Sequence, residues 1–100
     1  MSYAVQPIVV GDTINLIVFW KKDGSVWDVT GATATLFVKD PDGNVEELAA
    51  SIADGPAGEC NYVYSSFDTP GTWVRQWRVV KSGITLLTKQ IEFQVYPSLD

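Results

Sequence analysis

Apolar residues in this chain come in short runs, most of them alternating with polar ones at a spacing of two. Gly, Pro, Asp or Asn interrupt the runs about every ten residues. No segment keeps the 3.6-residue spacing of an amphipathic helix. Val5–Val10 predicts a first strand, which Pro7 confines to an edge or a bulge. Thr13–Trp20 (TINLIVFW) is apolar at nearly every position and predicts a strand covered on both faces. Lys21–Ser25 (KKDGS) reads as a hairpin turn with Gly24 at positive φ, followed by a short link, Val26–Val29. Ala32–Lys39 predicts a strand with Ala34, Leu36 and Val38 on one face and Thr33, Thr35 and Phe37 on the other. Asp40–Asn44 (DPDGN) is a turn, with Pro41 and Gly43 at the positions that favour them. Val45–Ile52 is a weaker strand, since its EELAA stretch tolerates a helix but is too short to nucleate one.

After a loop over Ala53–Glu59, Cys60–Tyr64 alternates Cys60, Tyr62 and Tyr64 against Asn61 and Val63. A turn at Asp68–Gly71 leads into a long strand, Thr72–Val80. A second turn leads into one returning strand, Thr85–Tyr96, where Ile91, Phe93 and Val95 oppose Glu92 and Gln94. About seven strands in a single domain over residues 1–100 predict an all-β sandwich or barrel.

Composition narrows the function. The chain has 100 residues, 46% of them apolar, with four Trp, four Tyr and four Phe, enough for one folded core. Its net charge is −5 and its pI about 4.4, with Lys and Arg scattered, which argues against nucleic acid and anionic membrane as partners. Cys60 is the sole cysteine, so no disulfide forms within the chain. The first residues lack the basic start of a signal peptide, and no run reaches the roughly 20 apolar residues of a membrane helix.

Candidate chemistry is sparse. Asp40, Asp42, Asn44 and Glu46 alternate like calcium ligands, but Gly43 comes too early for an EF-hand loop, so a solvated turn is expected and no metal. Cys60, Ser65 and Ser66 have no histidine to activate them, so no catalytic residue, no cofactor and no enzyme activity are expected. Strict alternation in Gly71–Trp77 (GTWVRQW) puts Trp73, Arg75, Trp77 and Val79 on one face. That face either buries an arginine or exposes two tryptophans. Turned inward it is core, the reading that tryptophan's average burial favours. Turned outward it has the makeup of an interface hot spot. Trp73, Arg75 and Trp77, or else Trp20 and Trp27, are the candidate contact residues.

The stretches GDT at Gly11–Thr13, DVTGAT at Asp28–Thr33, KDPDG at Lys39–Gly43 and DTPGTW at Asp68–Trp73 carry a resemblance. In that order and spacing the chain resembles the immunoglobulin-like domain at the start of phage baseplate upper proteins. The matching residues are Asp28, Thr30, Gly31, Ala32, Pro41, Gly43, Asp54, Gly58, Tyr62, Asp68, Gly71 and Trp73. The resemblance implies an immunoglobulin-like antiparallel sandwich. It also implies a non-enzymatic structural role in a phage particle, on tail or baseplate, docking onto other virion proteins and forming homo-oligomers there. A capsid decoration or cement protein of the same fold is the alternative. Longer members of that family continue past this domain, so a stand-alone module, made in the host cytoplasm and resident in the virion, is the expectation. A carbohydrate-binding sandwich, stacking host-surface glycan on exposed tryptophan, is a further reading.

Overall fold

A computed structural model describes residues 7–99, so Val5 and Gln6 of the first expected strand lie outside the described residues. Ten strands form, with no helix among the described residues: β1 Ile8–Val9, β2 Ile14–Phe19, β3 Lys21–Lys22, β4 Ser25–Val26, β5 Thr33–Lys39, β6 Val45–Asp54, β7 Glu59–Tyr64, β8 Gly71–Lys81, β9 Ile84–Leu87 and β10 Ile91–Tyr96. Eight of them make one hydrogen-bonded path, β1-β10-β8-β5-β6-β7-β2, with β9 added on β8; β3 and β4 form a separate small hairpin. Pairing is antiparallel throughout except between β1 and β10, which run parallel.

The path curls back on itself at β6. Val45–Ala50 pair with β5, while Ser51, Ile52 and Asp54 pair with β7 across an irregularity at Ala53. One strand thus serves two layers, and a bulge at the crossover supplies the bend. The larger layer is β1, β10, β8, β5 and the first half of β6, with β9 beside β8. The smaller is the second half of β6, β7 and β2. Their inner faces share a single core: Leu16 and Trp20 from β2 and just beyond it, Cys60 and Tyr64 from β7, Ala34, Leu36 and Val38 from β5, and Trp73, Trp77 and Val79 from β8. The arrangement is sandwich-like, and ring contacts tie it together. Phe67, in the loop before β8, meets Tyr64, Trp73 and Phe93 edge to face at centroid distances of 4.7, 5.4 and 6.0 Å.

Two expectations need correction, and the weaker strand expected over Val45–Ile52 forms. β2 is covered on one face only: Leu16 is buried, but Ile17 and Phe19 stay 46% and 62% exposed, because no described residue covers the outside of the smaller layer. The ambiguous EELAA stretch is fully extended within a ten-residue strand, since the ladder to β5 satisfies its backbone. The single return Thr85–Tyr96 is broken into β9 and β10. Thr88 bonds backbone to backbone with Trp77, whereas Ile91 pairs with Arg75, so three steps on one side face two on the other. That extra residue is a β-bulge, which no period-two pattern reveals.

Candidate functional site

The five candidate contact residues separate. Trp73, Trp77 and Trp20 are 2%, 3% and 4% exposed. A side chain that is sealed in the core cannot meet a partner's surface, so the expectation that these three form contacts is corrected. Trp73 is held in place by an N–H···O bond from its indole to the Thr69 carbonyl (2.8 Å), while the indole N–H of Trp20 is buried among the described residues with only the Cys60 thiol as a weak neighbour. Trp27 and Arg75 are partly buried and keep some surface.

Arg75 shares the inward face of β8 with the tryptophans, which answers the question its spacing raised. It sits where the two layers part, its guanidinium 5.1 Å from the centre of the Phe93 ring. Burial pulls its pKa below the ordinary value. The opening around it, about 640 Å³, is lined by Ile8, Ile14, Leu16, Ile91 and Phe93. The mouth exists because the larger layer offers β10 and β1 where the smaller one has already ended at β2.

A second surface lies on the outside of the larger layer. The β5–β8 register sets Phe37 beside Gln76 and Thr35 beside Arg78. Arg78 stacks on Phe37 at 5.1 Å, and Thr35 is buried on this outward side. Next to the stack is a shallow hollow of about 230 Å³ lined by Phe37, Lys39, Val45, Val74 and Gln76. The sequence pattern places Phe37 and Arg78 on the outward faces of their strands. Only the register between the strands brings them together.

The acidic turn is explained from within. Asp40 accepts the backbone N–H groups of Asp42 and Asn44 at 3.0 and 2.9 Å, and the hydrogen bond from Asn44 heads the causes that hold its carboxyl below the usual range. Glu46 turns away from that loop and accepts the Tyr64 hydroxyl. Burial first, then that bond, pushes the Tyr64 phenol well above its ordinary value. Cys60 is fully buried, and burial pushes its thiol up. A raised pKa opposes the thiolate a nucleophile needs.

The chain matches no known family and no curated protein. The residues that carry the resemblance are nonetheless legible as architecture. Asp28 accepts the N–H of Thr30 at 2.8 Å, and Lys81 donates to the Asp28 carbonyl at 2.6 Å. Gly31 turns at φ +79, and Ala32 donates to the Val29 carbonyl at 2.9 Å. Gly58 and Gly71 lie where a Cβ would strike neighbouring atoms. Together these residues shape the loops that pass between the layers. What the described residues present outward is a set of exposed apolar strand positions and two open hollows.

Proposed function

We propose that this chain is a non-enzymatic structural module of a phage particle, an immunoglobulin-like sandwich that docks onto a larger virion assembly at the tail or baseplate. The strand pairing supports the fold assignment: β2, β7 and the end of β6 make one sheet, and β5, β8 and β10 make the other. That division matches the two-sheet pattern of immunoglobulin domains. The resemblance of the DVTGAT, KDPDG and DTPGTW segments supports the phage context. The observation that carries the docking role is where the exposed apolar residues lie. Phe19, Val45, Val63 and Leu87 are about 60% exposed, all on open strand faces. Flat apolar positions of this kind fit macromolecular contact better than enclosure of a small ligand. The glycan reading is left with Trp27 as its one tryptophan at the surface, because the other three are buried.

The test is co-sedimentation of the epitope-tagged chain with purified particles of the phage that encodes it, followed by immunogold labelling. Label at the tail or baseplate is expected; label on the head would favour the decoration role instead. A chain absent from particles by mass spectrometry overturns the proposal. Val45→Asp and Leu87→Asp should lower incorporation while leaving the melting transition within a few degrees of the parent, since both positions are exposed.

A further inference from the structure

We propose that β2 pairs edge to edge, antiparallel, with β2 of a second copy, closing a two-fold dimer in which the two smaller layers become one sheet. Among the described residues β2 stands at the end of the hydrogen-bonded path. Trp20 donates to the Gly58 carbonyl at 2.8 Å, in register with the β2–β7 ladder, so Ile14, Leu16 and Val18 also bond toward β7. Asn15, Ile17 and Phe19 therefore turn their N–H and C=O groups to the free side. Ile17 and Phe19 are the exposed apolar pair on that strand.

Free edges are normally blunted by charge, proline or brevity. Among the described residues the other edges follow that rule. β1 has two residues and follows Pro7, β9 has only four, and the half of β6 that stops short of β7 carries Glu46 and Glu47. β2 has six residues, no charge and no proline.

The sequence around β2 is complementary to itself. With Ile17 on the two-fold axis, Ile17 faces Ile17, Asn15 faces Phe19, and Leu16 faces Val18. The added strand continues the smaller layer beyond Ile14 and Leu16, over the mouth beside β10. Among the described residues each copy has one edge of this length without charge or proline, and the dimer uses it, so association stops at two.

Sedimentation velocity of the full chain across a concentration series tests this. A dimer is expected. Ile17→Lys sets like charges face to face on the axis and should raise the dissociation constant about tenfold or more. Val63→Lys, at a more exposed position (57% against 46%) but one strand inward, should leave the dimer unchanged. Facing residues of a bonded pair lie about 5.5 Å apart at Cα, within disulfide range. Ile17→Cys should then cross-link to its own copy under mild oxidation, while Val63→Cys stays uncross-linked. A monomer at all concentrations overturns the proposal, as does a chain that takes up only a strand from another virion protein. So does open-ended assembly, or self-cross-linking through Phe19→Cys in place of Ile17→Cys. Absence from phage particles leaves this test unaffected, so the two proposals fail separately.

Discussion

Gly58 shows how much a single missing side chain decides. Its φ is +73, and a Cβ there would lie 2.7 Å from the Trp27 carbonyl oxygen and 2.8 Å from that of Trp20. Backbone atoms on both sides cannot move aside cheaply. Gly58→Ala is expected to cost about 3 kcal/mol, lowering the melting temperature by roughly 15 °C. Gly43, at φ +89 with open space around it, isolates the backbone term. Gly43→Ala should cost only about 1 kcal/mol in the same melts. Trp73→Ala removes the ring that Tyr64 and Phe67 pack against, and is expected to cost about 3–5 kcal/mol in urea titration. That outcome is opposite to the one expected of an exposed contact residue. The turn glycines are legible in the sequence, because DG and PDG demand positive φ. The clash at Gly58 is not legible, because its neighbours are more than 30 positions away in one direction.

Among the elements, β8 organises the larger layer, and its partners change along its length. It pairs with β10 at Gly71–Arg75 and with β9 at Arg78–Lys81, and the bulge between them rests on Thr88. The Thr88 hydroxyl accepts the Trp77 backbone N–H at 3.0 Å and donates to the Lys89 carbonyl at 3.0 Å. Thr88→Val keeps the shape and strands that N–H, so a loss of about 1–3 kcal/mol is expected in urea denaturation with an unchanged m-value. Thr88→Ser should retain most of the stability. Alternation correctly grouped Trp73, Arg75, Trp77 and Val79 on one face. It left open which face was inward, because an arginine among tryptophans contradicts either choice in a regular sheet. The structure resolves the conflict by placing Arg75 at the mouth, against Phe93.

At the scale of the whole molecule, stability should depend on pH only toward the extremes. Asp28 is held below its ordinary 3.8 chiefly by its hydrogen bonds from Thr30, and Asp40 chiefly by its bond from Asn44. A depressed carboxyl contributes stability above its unfolded value, and that contribution is lost as pH falls through the lower folded one. Cys60 and Tyr64 are raised by burial from 9.0 and 10.0. Their contribution is complete below those unfolded values and is lost as pH rises past them, because the unfolded chain ionises first. With no histidine in the chain, thermal melts should trace a plateau bounded by decline below about pH 4 and above about pH 9. Tyr64→Phe should weaken the later part of the alkaline decline, read by tyrosinate absorbance alongside the melt.

The sequence by itself determined an all-β chain, the placement of most strands and turns, and which residues of β5 share a face. These follow from local rules: period-two alternation, positive-φ turn residues and fixed proline geometry. Which tryptophans were core, that β2 kept an open face and edge, and that Arg78 met Phe37 were decided only by the tertiary structure. Those outcomes depend on the register between strands distant in sequence and on where one layer ends before the other. A single bulge or a bend in one strand resets both without leaving a periodic trace.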